Sequence, residues 1–464
     1  MQNPAKQNSQ RYFTLWRWHF YAGIFVAPLL MVLAATGLAM IFFAHTVGKE
    51  GDLQTVPVSG SPLPLSVQSA KVLEQVDPAG KLVQYFKPRA ADKVAIFRVD
   101  KSDGAAVLAA LDPYRGQVVK ISPRNKSAYH LMDEIHGDLL LGPIGDYLLE
   151  TAAALTVLLI LTGYYLWWAS RQRRVSQMLS SGGLERGRNG WRKLHGLCGT
   201  YISLMLLLFC LSGMAWAGIW GGKMVQSWSQ FPSGKWGVEP MPTSQPRTHG
   251  DLNDGKTKEL PWALELTALP QSGSGEGQAG IKEGKEINLE NIDRLAQDLG
   301  FKDRYQIYFP KGETGIWTIN QDSMSYDSPS PTADRTVHID RYSGKVLADI
   351  SFSDYNWFGK FMAASIAFHM GTMGAWSVAL NVVFCLAVIF ICISGYVMWW
   401  QRRPRGMGLG APSLGEALPA WPKAAVFLLI IAAIFPTALV AIGLVLLLDW
   451  LLLKRFKFFQ RLLQ

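Results

Sequence analysis

Four histidines occur at matched positions in the two halves of the chain, and their pattern is typical of cofactor ligands. The segment "TLWRWHFYAGIFVAPLLMVLAATG" aligns with "GWRKLHGLCGTYISLMLLLFCLSG", which places His19 on His195. A second pair of segments, ending in "GYYLWW" and "GYVMWW", places His136 on His369. Neutral imidazole is a good axial ligand for haem iron, and two imidazoles on facing helices make a site suited to moving one electron. The sequence therefore predicts two haem irons, one bound by His19 and His195 and the other by His136 and His369.

Glycines accompany these histidines at fixed intervals. Gly23 matches Gly199, each four residues after its histidine, and a residue without a side chain would let a flat porphyrin approach the backbone closely. Gly37 matches Gly213, each eighteen residues after its histidine, which is about five whole helical turns. We expect all four glycines to lie on the histidine side of their helices and to contribute to cofactor binding.

The histidines could also serve roles other than binding haem, although the sequence favours these roles less. A single histidine at a membrane boundary could simply anchor the chain to lipid headgroups or form a hydrogen bond to a loop. Histidines at equivalent positions of a repeat instead favour a ligand role. A non-haem metal is disfavoured because no carboxylate or cysteine accompanies each pair in ligand-like spacing. His45 has no counterpart in the other half and is an alternative axial ligand. The chain has no C-x-x-C-H motif and its four cysteines lie in apolar runs, so we expect two non-covalent haem b groups and no disulfide framework.

Long apolar runs must position these residues. Hydrophobic residues make up 49% of the chain, and a helix needs roughly 20 of them to cross a bilayer. Four runs meet this requirement, at residues 20–43, 147–168, 197–219 and 375–400. A fifth run, residues 424–453, contains Pro436, which favours a kinked span or a re-entrant hairpin.

The basic residues predict the orientation of the chain. They cluster before the first run, between the second and third ("RQRR" and its surroundings), and after the fourth ("QRRPR"). Short Lys- and Arg-rich loops stay on the cytoplasmic side, so the net charge of +10 reflects membrane topology and does not predict nucleic-acid binding. The intervening segments, residues 44 to about 140 and 220 to about 370, are expected on the opposite, periplasmic-type face of a multi-pass membrane protein.

The soluble segments also repeat. "LDPYRGQVV" matches "IDRYSGKVL", a pattern typical of a strand, a tight glycine turn and a second strand. Helical patterns such as "LSVQSAKVLEQV" precede the strand-like stretches, so each segment is predicted to be a small α+β module. The expected fold is a membrane α-helical bundle of four core spans and a fifth hydrophobic region, with two periplasmic α+β modules, produced by tandem duplication.

The predicted domain organisation follows from these features. In order it comprises a cytoplasmic N-terminus (1–19), span 1 (20–43), periplasmic module 1 (44–146), span 2 (147–168), a basic cytoplasmic loop (169–196), span 3 (197–219), periplasmic module 2 (220–374), span 4 (375–400), a cytoplasmic linker (401–423), the fifth region (424–453) and a basic tail (454–464).

In this arrangement the chain resembles the PepSY-associated transmembrane helix family, in particular the bacterial inner-membrane siderophore-iron reductases. The resemblance covers about residues 10–405 and rests on the duplicated H-x3-G span starts, the two D-x-Y-x-G-x-V hairpins and the paired span ends. It implies PepSY-like periplasmic modules and a di-haem bundle that passes electrons to a ferric siderophore. No nicotinamide-binding motif is found, so the electron donor is expected to be external or a membrane quinol.

Two further functions fit the same sequence. The soluble modules could bind peptides or regulate a protease, with the helices serving only as anchors. Alternatively, the chain could be a cytochrome b subunit that serves a protein partner.

Overall fold

The computed structural model describes residues 4–172, 187–225, 248–253, 259–270, 277–282 and 284–403, together with 435–437, 439–440 and 443. The chain divides into two compact units. The membrane unit consists of Met1–Leu38, Ile135–Met224 and Val382–Gln464, and the sheet unit consists of Ala39–Glu134 and Val225–Asn381. Most of the predicted fifth hydrophobic region and all of the basic tail lie outside the described residues.

The described helices of eight or more residues are, in chain order, α1 (Pro4–Thr46), α2 (Leu65–Val76), α3 (Ala128–Asp138), α4 (Pro143–Gln172), α5 (Arg188–Gly213), α6 (Leu289–Asp298), α7 (Trp357–Met370) and α8 (Ala375–Arg402). The strands are β1 (Lys81–Phe86), β2 (Ala95–Asp100), β3 (Ala106–Asp112), β4 (Gln117–Pro123), β5 (Gln306–Tyr308), β6 (Trp317–Gln321), β7 (Arg335–Ile339) and β8 (Val346–Ser351).

Among the described residues, four helices are long and apolar enough to span a membrane. They are Tyr12–Thr46, Pro143–Trp168, Arg188–Trp216 and Ala375–Arg402. Lipid offers no partner for backbone N–H and C=O groups, so an apolar run of this length satisfies them by becoming helical. The helices contain the first, second and fourth predicted runs and most of the third, which confirms a multi-pass membrane protein.

The third span ends earlier than its hydrophobicity predicts. We expected it to continue to residue 219, but regular helix stops at Gly213 and is followed by a 3-10 turn. Two carboxylates of α4 explain the change. Asp146 accepts the N–H of Gly218, and Glu150 accepts those of Ile219 and Trp220, so the unwound backbone keeps partners for its donors.

In its described part, the sheet unit contains one antiparallel sheet of eight strands. Their order is β4-β3-β2-β1-β5-β6-β7-β8, and the two halves of the chain join where β1 pairs with β5. We predicted two modules, and the structure corrects this to two halves of a single compact unit. The physical reason is that β1 and β5 would each be an unprotected edge, and pairing with one another satisfies their backbone groups.

The two faces of this sheet differ in chemistry. One face carries the apolar core, against which α2 and α6 pack through residues such as Val72 and Ile292. The other face is mixed. Over β1–β3 it carries a smaller apolar cluster that includes Phe86, Ile96 and Leu108. The remainder, which we call the buried polar face, consists of Gln84, Gln306, Thr318, Asn320, Thr336 and His338.

The predicted glycine turns are confirmed. Gly116 and Gly344 have φ angles of +67° and +68°, a region that favours glycine. In the first turn the Asp112 carboxylate accepts the N–H of Tyr114 at 2.8 Å, and in the second Asp340 accepts the N–H of Tyr342 at 2.8 Å. The shared aspartate therefore closes the turn in both halves of the sheet.

Candidate functional site

His19 and His195 meet inside the membrane unit, as the sequence predicted. They come from α1 and α5, one from each half of the chain, and their ring centres lie 6.4 Å apart with the ring planes at 81°. Both helices are long apolar segments that a bilayer forces into regular structure. The two imidazoles are thus fixed by rigid helices and not by loops.

Each of these rings is held by a hydroxyl of another helix. His19 Nδ1 lies 2.9 Å from Thr162 Oγ1 on α4, and His195 Nδ1 lies 2.8 Å from Ser394 Oγ on α8. The hydroxyl protons are already committed, because Thr162 donates to the carbonyl of Leu158 at 2.7 Å and Ser394 donates to its own helix in the same way. The hydroxyl oxygens must therefore accept from Nδ1–H, and in a neutral imidazole with this tautomer the free lone pair is on Nε2.

His136 follows the same rule. It lies in α3, and its Nδ1 is 2.9 Å from Thr36 Oγ1 on α1, whose own proton is donated to the carbonyl of Val32 at 2.8 Å. Burial lowers the pKa of His136 to about 4, which keeps this imidazole neutral. Ser212, the counterpart of Thr36 in the second half, donates to the carbonyl of Leu208 at 2.8 Å.

His369 lies in the last turn of α7, which belongs to the sheet unit. The side-chain amide of Asn381 donates to the His369 carbonyl at 2.9 Å and to that of Phe368 at 2.8 Å, which fixes the end of the helix. The pairing of His369 with His136 stays a prediction.

Glycines lie against three of the histidine rings. A Cβ at Gly163 would stand 3.3 Å from His19 Cε1, one at Gly395 would stand 3.7 Å from His195 Cε1, and one at Gly37 would stand 3.7 Å from His136 Cε1. Each of these glycines directly follows the hydroxyl residue that holds the same ring. In each of these Thr-Gly or Ser-Gly dipeptides, therefore, the hydroxyl contacts Nδ1 of an imidazole from a neighbouring helix and the glycine leaves room for the ring.

The other predicted glycines have different neighbours. A Cβ at Gly23 would meet Leu159 at 3.9 Å, and one at Gly199 would meet Ile391 at 2.9 Å, so both glycines lie where two helices approach closely. Gly213 is the last residue of α5. A role of these glycines in admitting a porphyrin stays a prediction.

The donor set fits a haem. Two imidazoles on one iron have ring centres about 6 Å apart, since a nitrogen–metal bond is about 2.0 Å and each ring centre lies about 1.1 Å behind its nitrogen. The observed 6.4 Å between His19 and His195 matches this spacing. Across the described residues, His, Cys, Asp and Glu do not gather in the groups of three that a protein-only metal site requires. A porphyrin supplies four nitrogens itself, so two protein ligands suffice.

The hydroxyls that hold the rings were not predicted from the sequence. The available signal was a dipeptide in the C-terminal half of each span, Thr-Gly or Ser-Gly at residues 36–37, 162–163, 212–213 and 394–395, which recurs in both halves of the chain. His45, the alternative ligand, is an exposed residue of the sheet unit whose Nδ1–H donates to the carbonyl of Ile41 at 2.9 Å.

Comparison with known proteins places this architecture in a family. A search among curated proteins finds no match to the chain. The family described as the PepSY-associated TM region matches residues 16–402, which include most of the first span, the other three spans and the whole described part of the sheet unit. The chain therefore belongs to the PepSY-associated TM family of membrane proteins.

Proposed function

We propose that this protein is a di-haem b electron carrier that crosses the bacterial inner membrane and reduces ferric siderophore iron in the periplasm. One observation carries the proposal. Two imidazoles from different halves of the chain have ring centres 6.4 Å apart in the membrane unit, and each donates its Nδ1–H to a hydroxyl on a further helix. That is the tautomer in which Nε2 can bind a metal.

The residues have distinct roles in this proposal. His19 and His195 hold one iron, and His136 and His369 hold the second. Thr162 and Ser394 orient the first pair of rings, so that the ligands need not reorganise when the charge of the iron changes. When bound, haem supplies a one-electron couple whose potential the protein sets through ligation, hydrogen bonding and burial.

The substrate is ferric iron held by a siderophore. It accepts one electron from the protein and becomes Fe(II), which hard oxygen ligands hold less tightly, so the metal leaves its chelator. A membrane quinol or an external reductant on the cytoplasmic side would supply the electron. Electrons would enter near His19 and His195 and leave near His136 and His369.

The orientation rests on the distribution of basic residues. The Lys- and Arg-rich loops adjoin the ends of α4 and α8 and the start of α5. Because short basic loops tend to stay in the cytoplasm, this distribution supports a periplasmic location for the sheet unit. The matching turns, hydroxyls and histidines of the two halves support an origin by tandem duplication.

An absorption spectrum of the detergent-purified protein tests the proposal. We expect a Soret band and the spectrum of low-spin haem with two histidine ligands, and a haem content of two per chain. His195→Ala and His136→Ala should each remove one haem, whereas the control His45→Ala should keep both. A colourless protein produced with ample haem supply would contradict the proposal and leave an anchored peptide-binding module.

Rapid mixing then tests the substrate. When anaerobically reduced protein is mixed with ferric siderophores, the haem should be reoxidised and Fe(II) should be trapped by a ferrous chelator. A haem protein that fails to react with free ferric chelates would instead support a cytochrome b subunit serving a protein partner.

A further inference from the structure

Arg402, the last residue of α8, has an unusual environment at the end of the membrane unit. Its guanidinium lies over the rings of Trp16 and Phe20, 5.0 and 4.8 Å from the ring centres. Its Nε and Nη2 atoms are buried and have no hydrogen-bond acceptor among the described residues. The aromatic rings favour the cation but provide no acceptor for its N–H groups.

A guanidinium with two buried donors that lack an acceptor favours the binding of an anion. Arginine stays protonated in proteins, and although the Arg402 side chain is only half-buried, its two buried N–H donors are unfavourable as long as they lack an acceptor. Its planar N–H donors match the two oxygens of a carboxylate. A carboxylate that approaches Nε and Nη2 would satisfy both atoms at once.

The position of Arg402 on its helix indicates where that carboxylate comes from. Arg402 follows Gly395 by seven residues, about two helical turns, so both residues lie on nearly the same face of α8 and about 10 Å apart along the axis. Gly395 is the glycine beside the His195 ring. Trp16 and Phe20, which hold the guanidinium, flank His19 in α1. The charge thus lies just beyond the paired imidazoles, toward the end of the helix.

We propose that Arg402 binds a propionate carboxylate of the haem held by His19 and His195. This inference rests on the proposed function and adds to it a binding residue for the anionic edge of the cofactor. A porphyrin between the two imidazoles carries its two carboxylates on one edge, and their side chains can span the distance along α8. Arg402 therefore selects the orientation in which that edge points to the end of α8.

The test uses the full chain with His136→Ala, so that a single haem site remains. Apoprotein with and without Arg402→Gln is titrated with haem and with haem dimethyl ester, in which both propionates are neutral. With Arg402 present we expect haem to bind about tenfold more tightly than the ester. In Arg402→Gln this preference should fall to about one, and in Arg402→Lys it should be intermediate. Arg403→Gln is the matched control, because Arg403 is the exposed neighbour and should leave the preference unchanged.

A redox titration provides a second measurement that does not depend on activity. A cation beside the cofactor favours the ferrous state, so Arg402→Gln should lower the midpoint potential, a tenfold change in the reduction equilibrium being about 59 mV for one electron. The inference would be overturned if Arg402→Gln left both the preference for haem over its dimethyl ester and the midpoint potential unchanged. Loss of a bound anionic lipid in that variant would instead assign the guanidinium to a lipid phosphate. Absence of a Soret band in the parent protein would contradict the proposed function itself, so the two failures are distinguishable.

Discussion

At the scale of single residues, the neutral hydroxyl behind each imidazole is the most informative feature. Each hydroxyl, that of Thr162 and that of Ser394, has a single proton, which it donates to a carbonyl of its own helix. This arrangement decides the tautomer of His19 and His195 without a buried charge. Partners of this kind hold the ring orientation of metal ligands, and their loss typically weakens metal binding 10- to 100-fold.

Thr162→Val removes the hydroxyl at nearly constant volume and should weaken haem binding at the His19 site about tenfold or more. Thr162→Ser keeps the hydroxyl and is the control. Haem titration of the apoprotein with His136→Ala isolates this site. Equal affinities of the valine and serine variants would show that the hydrogen bond does not position the ring.

A second histidine pair occurs in the sheet unit and has a different character. His249 Nε2 and His338 Nε2 lie 2.7 Å apart, and both residues are completely buried. The Nδ1–H of His249 donates to the carbonyl of Thr267 at 2.9 Å, and Thr318 contacts His338 Nδ1 at 2.9 Å. The geometry describes a chain of hydrogen bonds between two neutral rings, because one Nε2 must donate and the other must accept.

This pair predicts a contribution to pH-dependent stability. Burial lowers the pKa of His249 to about 4 from its usual 6.5, so its contribution is complete above pH 6.5 and is lost as the pH falls toward 4. At pH 5 the loss is about 2 kcal/mol from His249 alone. His249→Asn keeps the donor to Thr267 and removes the titration. Between pH 7.5 and 5 the parent should therefore lose about 2 kcal/mol more than the variant in the free energy of opening, measured by hydrogen exchange of the sheet amides.

At the scale of elements, the ends of the spans carry the site. Gly163 and Gly395 follow the hydroxyl residues and admit the rings of His19 and His195 against the helix backbone. Hydropathy predicted these helices well, because length and apolar content suffice to identify a span. It did not predict where α5 ends, since that depends on Asp146 and Glu150 of α4, which are distant in sequence.

Gly163→Val should displace the His19 ring, because even a Cβ at this position would lie only 3.3 Å from Cε1. We expect haem bound at this site to fall at least tenfold while the protein still inserts into the membrane. Leu161→Val is the control, since Leu161 is an exposed residue of the same helix. The measurement is the haem-to-protein ratio of the purified His136→Ala background. Full occupancy in Gly163→Val would contradict the steric role of the glycine.

At the scale of the whole molecule, the two halves of the sequence form a single sheet through β1 and β5. Strand patterns predicted the hairpins but not this junction, because a three-residue strand such as β5 carries little periodicity of its own. The buried polar face was not predicted either. Its chemistry depends on partners from separate segments, such as Glu259, which pairs with Arg124 and accepts a hydrogen bond from Gln84.

The Arg124–Glu259 ion pair joins the two halves, and both side chains are almost completely buried. Arg124→Ala leaves the Glu259 carboxylate buried without its main partner and should destabilise the sheet by about 3–5 kcal/mol. Lys71→Ala breaks the exposed pair with Glu74 and should cost less than about 1 kcal/mol. Hydrogen exchange of the strand amides measures both free energies. Similar values for the two variants would show that the buried pair does not hold the halves together.

The origin of the paired imidazoles has a consequence for biogenesis. The N-terminal half contains His19 and its hydroxyl partner, but the facing ring belongs to α5 and its partner Ser394 belongs to α8. During synthesis the growing chain therefore offers one imidazole of the pair, and the second becomes available when α5 has entered the bilayer. The four side chains are all present only after Ser394 has been synthesised, so we expect a ligand to be held between both rings only once α8 has been made.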